Sequence, residues 1–217
     1  MFGVQRTAEF SEWLDALTDS KARAAVITRL GRLALGNAGD VKPVGSGVSE
    51  MRIDIGPGYR AYYMRVDRQV LLMLGGGDKA SQAQEIGRAL KMAAALRAPA
   101  NSGKRKTENE KMSRTLNAKV AKRLGIRRFD ASEYLHGEAD ISAYLEAVLA
   151  EDDPRLLAAA LGDVARARGM TQLARETGLS REALYRALST DGNPELVTVT
   201  KVLRALGLRL SIQPVAA

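Results

Sequence analysis

From Ala98 to Met112 the chain runs Ala-Pro-Ala-Asn-Ser-Gly-Lys-Arg-Lys-Thr-Glu-Asn-Glu-Lys-Met, with no apolar residue larger than alanine before the methionine. Such a stretch has nothing to bury, so a single hydrophobic core cannot run through it. It divides the 217 residues into two parts, each long enough for a small domain. The expected organisation is a domain over residues 1–98, a flexible basic linker over 99–113, a helical segment over 114–152 and a further domain over 153–217. Hydrophobic residues make up 46% of the sequence and charged residues 27%, enough apolar material for a core on each side.

Composition removes several classes of chemistry. There is no cysteine, and His136 is the single histidine. Disulfides, iron–sulfur clusters, thiolate zinc sites, a cysteine nucleophile and a histidine-cluster metal site are therefore excluded. Arg6, Glu9, Glu12 and Asp15 interrupt any early apolar run, and the longest later one, Val70–Gly77, is too short to span a bilayer. A cytoplasmic chain with no membrane partner, no metal and no cofactor is expected. The 33 basic and 25 acidic residues leave +8, spread over both parts, which favours polyanionic partners.

The first part reads helix, helix, strands, helix. Phe10, Trp13, Leu14 and Leu17 mark one helical face, and Asp19 or Ser20 starts a second helix that ends at Gly36-Asn37. Extended runs follow at Glu50–Gly56, Tyr59–Val66 and Gln69–Gly75, and a last helix starts near Ser81 with Gln84 completing a capping box. The simplest packing is an α+β domain with two helices, an antiparallel sheet and a C-terminal helix. The second part reads as helical throughout, with Asp153-Pro154 as a strong start signal and a short terminal strand at Leu208–Gln213.

Thr171-Gln-Leu-Ala-Arg-Glu-Thr-Gly-Leu-Ser-Arg-Glu-Ala-Leu-Tyr-Arg-Ala-Leu188 joins two short amphipathic helices through a tight turn at Gly178. This is the pattern of a helix-turn-helix, whose second helix enters the major groove. Ser180, Arg181, Glu182, Tyr185 and Arg186 would face DNA, with Thr171 and Gln172 at phosphate-contact positions. An ordinary helical hairpin with surface arginines is the alternative.

In the strands, a three-residue loop Gly56-Pro57-Gly58 would pair Asp54 with Arg60 and Arg52 with Tyr62. Arg52, Asp54, Arg60 and Tyr62 then share one polar face, suited to a phosphate and a stacked base; a solvated face with one Asp–Arg pair is the alternative. Gly75-Gly-Gly-Asp-Lys79 could offer backbone amides and Lys79 to an anion, or be a flexible turn; it is not a Walker A loop. With one histidine, RNA cleavage would rest on attack of a 2′-hydroxyl on the adjacent phosphate, with Arg, Lys and Tyr stabilising charge and moving protons. Arginine stays protonated and serves as a clamp, which leaves Tyr62, or Lys79 with a depressed pKa, to handle the proton.

Residues 1–97 resemble HigB-type toxins of the RelE/ParE superfamily, in the phage-derived group of addiction-module killer proteins. The resemblance rests on Phe10–Leu17, Arg29–Leu33, Gly36–Gly45, Glu50–Asp54, Gly56–Arg60 and Gly76–Lys79. Residues 126–215 resemble the HigA-like antidote partner through Arg128–Leu135, Ile141–Leu145 and the helix-turn-helix running into Asp191–Pro194. The resemblance implies a metal-independent mRNA endonuclease acting on the ribosome. Its implied partner is an antitoxin that neutralises it and represses the operon as a homodimer on operator DNA. It assigns Lys42, Arg52 and Arg60 to RNA contact, and Arg52, Arg60, Tyr62 and Lys79 to catalysis.

The departure is the fusion, since such proteins are normally two chains. Met112-Ser-Arg-Thr could be a former antitoxin start, and natural, read-through and engineered fusions look alike. A short linker gives an effective concentration on the order of mM, so a latent nuclease is expected, released when the linker or antitoxin half is cut. Lys104-Arg-Lys106 offers a protease target. Residues 126–150 are expected to mask the toxin, because their helix would otherwise expose Ile141, Tyr144, Leu145 and Val148. Two further readings remain: a repressor with a non-catalytic first domain, and a toxin directed at gyrase.

Overall fold

Residues 1–98 and 116–211 are described in a computed structural model of the chain. The expected linker over 99–113, with Lys104-Arg-Lys106, lies outside them, as do Met112-Ser-Arg-Thr and the end of the expected terminal strand. The chain divides between Phe129 and Asp130 into two units.

Two short helices begin the first unit after a strand, β1 (Gly3–Arg6). The Thr7 hydroxyl accepts from the Phe10 amide and starts α1 (Ala8–Asp15), which buries Phe10 and Leu14. Asp19 caps α2 (Ser20–Ala34) by accepting from Lys21, and Gly36 with φ of 96° turns the chain after it. Four strands follow: β2 (Val41–Gly45), β3 (Val48–Ile53), β4 (Tyr59–Arg65) and β5 (Val70–Asp78), antiparallel in succession. Then comes α3 (Gln82–Arg97). The expected capping box is not formed: Ser81 makes no side-chain cap, and its hydroxyl and amide are engaged with Asp78.

The sheet is larger than the expected antiparallel meander. Its order is β2-β3-β4-β5-β1-β6, with β1 parallel to β5 and β6 (Arg127–Arg128) antiparallel to β1. Residues 116–129, expected to be helical, thus supply α4 (Ala118–Arg123) and an edge strand to the first unit. Alternate faces of the sheet meet different helices. A Cβ on Gly76 would collide with the Trp13 ring of α1, whereas one on Gly77 would lie 2.8 Å from Glu85 Cγ of α3. Gly75–Gly77 are therefore strand residues under helices, not a flexible turn. Only glycine allows both helices to approach so closely.

The second unit is helical. A 3-10 turn (Ala131–Tyr134) precedes α5 (Glu138–Leu149), α6 (Pro154–Arg168), α7 (Met170–Thr177), α8 (Arg181–Ala187) and α9 (Leu196–Ala205). Asp153 caps α6 through the amides of Arg155 and Leu156, with proline in the first turn as its sequence requires. Ile141, Tyr144, Leu145 and Val148 are buried within this unit, where α5 packs on α6. α6 therefore supplies a partner for the face that was expected to need the toxin domain. Leu208–Ser211 form no strand. No helix among the described residues is long and apolar enough to cross a membrane.

Candidate functional sites

At one end of the first unit's sheet, Lys42, Glu50, Tyr62 and Gly75 lie opposite one another across β2, β3, β4 and β5. The next row holds Arg52, Arg60 and Gly77. The register differs from expectation by two positions, since the β3–β4 loop spans Asp54–Gly58. That loop is closed by the Gly58 amide on the Ile55 carbonyl at 3.0 Å. A shift of two preserves the faces, so Arg52, Arg60 and Tyr62 do share a side. The acid they meet is Glu50; Asp54 lies beyond the strand.

Glu50 is fully buried and gathers the polar groups. Arg52 Nε donates to Oε1 at 3.1 Å, and Arg60 Nε lies 3.8 Å from the same oxygen. Oε2 accepts from Gln82 Nε2 at 2.7 Å and from the Tyr62 hydroxyl at 3.4 Å. Arg60 also donates to the Gly58 carbonyl. Arg52 has 39% of its side chain exposed and lies 3.7 Å from Asp40, so this end of the cluster reaches solvent. Lys42 and Lys79 are exposed, Lys79 in the turn after β5.

Tyr62 is in a different place from the one its expected role requires. It has no exposed surface, because Val48, Met64, Leu72 and Leu74 make its sheet face apolar and α3 covers them. Burial pushes its phenol well above the ordinary value, and the Glu50 charge adds to the rise. The hydroxyl stays protonated at neutral pH and is directed at Glu50. Glu50 itself is missed by sequence reasoning, which places it at the start of a strand; that strand in fact begins at Val48. A cavity of about 410 Å³ lies at the other end of α3, bordered by Gly47, Met64, Val66, Leu96 and Leu116, and takes no part in this cluster.

The second unit presents a different surface. Gly178, with φ of 67°, turns the chain from α7 into α8, and the Ser180 hydroxyl caps α8 by accepting from the Ala183 amide at 3.1 Å. Met170, Leu173, Leu184 and Leu188 are buried. Thr171, Gln172, Ser180, Arg181, Glu182, Tyr185 and Arg186 are all exposed, and Tyr185 keeps 48% of its surface. Gln172 is held by Glu176 at 2.8 Å. Among the described residues, no group of three or more His, Asp or Glu side chains comes together as a metal site.

Between α5 and α6, the Tyr144 hydroxyl donates to Asp163 at 2.8 Å, while Arg166 pairs with Asp163 and, at 3.5 Å, with Asp130. Burial raises the Asp163 carboxyl to about 6; the Arg166 charge and the Tyr144 hydroxyl offset only part of it. A folded-state pKa above the unfolded value means that the native unit takes up a proton as pH falls through 6. Its stability is therefore lowest above that range. Between pH 7.5 and pH 5 this group should add about 1 kcal/mol of stability to the second unit, and Asp163→Asn should remove the increment. Denaturant midpoints of both chains across that range check it; equal pH slopes would refute the assignment.

Comparison with known proteins places one half of the chain. The family described as "probable addiction module antidote protein" matches residues 125–214. Two uncharacterised proteins of Haemophilus influenzae are similar to parts of the chain. One is 50% identical over 88 residues, which is 41% of this chain and 91% of the relative. The other is 39% identical over 93 residues, 43% of this chain and 94% of the relative. No solved structure matches. The chain is thus an α+β unit joined to a helical unit of antidote type. Over residues 125–214 it belongs to the addiction-module antidote family, which associates it with a toxin–antitoxin system.

Proposed function

We propose that the chain is a toxin–antitoxin module in one polypeptide. The first unit is a latent, metal-independent mRNA endonuclease of the RelE/HigB type that acts on the ribosome. The second is its antitoxin, a helix-turn-helix repressor that binds operator DNA as a homodimer. One observation carries the reading: an antidote-family region is continuous with a separate α+β unit whose sheet gathers two arginines at a solvent-reaching end.

In this reading Glu50 holds Arg52 and Arg60 as a guanidinium pair for the scissile phosphate, with Lys42 and Lys79 contributing charge from exposed positions. The 2′-hydroxyl gives up its proton as its oxygen attacks the phosphorus, the P–O5′ bond breaks to leave a 2′,3′-cyclic phosphate, and the 5′-oxygen takes up a proton, so none is gained or lost overall. Lys79 is the exposed candidate for moving that proton, since Tyr62 is buried on Glu50. On the second unit, Arg181, Tyr185 and Arg186 face the major groove, with Ser180 and Glu182 beside them and Thr171 and Gln172 at the phosphates.

The test is induction of residues 1–98 beside the full chain, with growth and mRNA 5′ ends followed together. The fragment should arrest growth and create new mRNA ends, and the full chain should do neither. Arg60→Ala in the fragment should lower cleavage by about a hundredfold or more, the usual cost of losing a charge-stabilising group. Arrest without new ends would move the target to gyrase. A folded fragment that causes no arrest would leave a repressor with a non-catalytic first unit.

A further inference from the structure

Asn117 lies against the end of α3, within hydrogen-bond reach of Leu96 and Ala98. The Asn117 amide donates to the Leu96 carbonyl at 2.9 Å, and its side-chain amide donates to the Ala98 carbonyl at 3.4 Å. Both carbonyls belong to the C-terminal turn of α3, whose last oxygens have no partner within the helix. From there residues 116–129 make contacts of three kinds.

Leu116, Val120, Ala121, Leu124 and Ile126 pack on the apolar cluster formed by Val48, Met64, Leu72, Leu74, Ala93 and Leu96. The Leu124 carbonyl accepts from the Ala8 amide at 2.9 Å, which satisfies a free donor at the start of α1. Arg127 and Arg128 pair with Arg6 and Gln5, and the Phe129 amide donates to the Val4 carbonyl at 2.9 Å, so the strand closes the open edge of β1. A helical turn in a groove followed by an added strand is a complete recognition element, with side chains for the pocket and main chain for the edge. The antidote-family match begins at 125, so its first residues lie inside the first unit's sheet.

We infer that residues 116–129 are a docking arm, and that the α3 groove together with the β1 edge of residues 1–98 is its receptor. The arm, not the covalent bridge 99–115, holds the antidote half to the first unit. The consequence reverses the expectation for a linked latent toxin: cutting within 99–115 leaves the halves together. This inference stands whether or not the first unit cleaves RNA. The arm lies at the Leu96 end of α3 and Gln82 of the Glu50 cluster at the other, so the arm anchors without plugging that cluster.

The test uses the full chain with a specific protease recognition sequence inserted between Gly103 and Lys104. After complete cleavage, the two fragments should co-elute on size exclusion at the position of the uncut chain, down to low micromolar concentration. In the same chain carrying Val120→Asp and Leu124→Asp, cleavage should release the fragments, a weakening of about a hundredfold or more. Should that variant be unfolded before cleavage, Val120→Ala with Leu124→Ala should still weaken association about tenfold. Separation of the cut parent chain would overturn the inference. So would a cut variant, folded before cleavage, that stays associated as tightly as the parent.

Discussion

Glu50→Ala should lower the unfolding free energy of the first unit by about 3 kcal/mol, the low end of what removing one partner of a buried ion pair costs. The argument is asymmetric. Glu50 has no exposed surface, accepts from Arg52, Tyr62 and Gln82, and faces the Arg60 guanidinium at 3.8 Å. Its removal leaves Arg60, only 14% exposed, as a charge with its Nε buried beside a cavity. Arg52 can turn to solvent and to Asp40, which keeps the cost from being larger. Glu50→Gln should cost less than alanine, because its amide oxygen still accepts from Tyr62 or Gln82, yet it takes away the counter-charge beside Arg60. Trp13, the single tryptophan, packs with tilted and edge-on rings against Phe10 and Tyr59 and so reports on this unit alone during urea unfolding of the full chain. A cost for Glu50→Ala no greater than that of Glu12→Ala, at an exposed position, would show that the cluster does not organise the unit.

That cluster also marks the limit of what could be read from the residues. Periodicity places α1, α2, α3, α5 and the helices from Asp153 onward, with caps at Asp19 and Asp153, because a helix writes its period over two or more turns. The faces of β3 and β4 were legible too, since alternation survives a register shift of two. The partner of the arginines was not. Loop length decides it, and Gly56-Pro57-Gly58 fits a three-residue loop as well as the five residues observed. The burial of Tyr62 was equally hidden: it depends on Leu72 and Leu74, brought alongside by β5, and on a helix twenty residues further on. β1 and β6 have four and two residues, too few to carry a pattern, and both are fixed by partners distant in sequence. For the same reason the arm at 116–129 read as part of a helical segment, its half-buried residues having no visible partner.

Gly162→Ala should destabilise the second unit by about 2 kcal/mol, although the same exchange within a helix ordinarily adds up to about 1 kcal/mol. Gly162 is buried in α6 where α8 ends, and a Cβ there would collide with the Leu188 carbonyl oxygen, with its carbon at 3.3 Å. A backbone oxygen cannot rotate away as a side chain can, so α8 must shift or α6 must bend. For a unit of this size the loss corresponds to a melting point about 10 °C lower. Gly87→Ala supplies the opposite sign, for it lies in α3 with nothing within 4 Å of its Cβ position and should stabilise the first unit. Because α8 carries Arg181, Tyr185 and Arg186, Gly162→Ala should also weaken the operator binding proposed for this unit, by moving those side chains together. Arg181→Ala with Arg186→Ala separates the two effects: the melting point should hold, affinity should fall, and the salt slope should shrink by about 0.9 for each phosphate no longer neutralised. Calorimetry with fluorescence resolves the units, since a transition without a Trp13 signal belongs to the second. A Gly162→Ala chain as stable as its parent would mean that α6 and α8 do not meet at this backbone contact. An unchanged salt slope in the arginine variant would mean that α8 does not face the DNA.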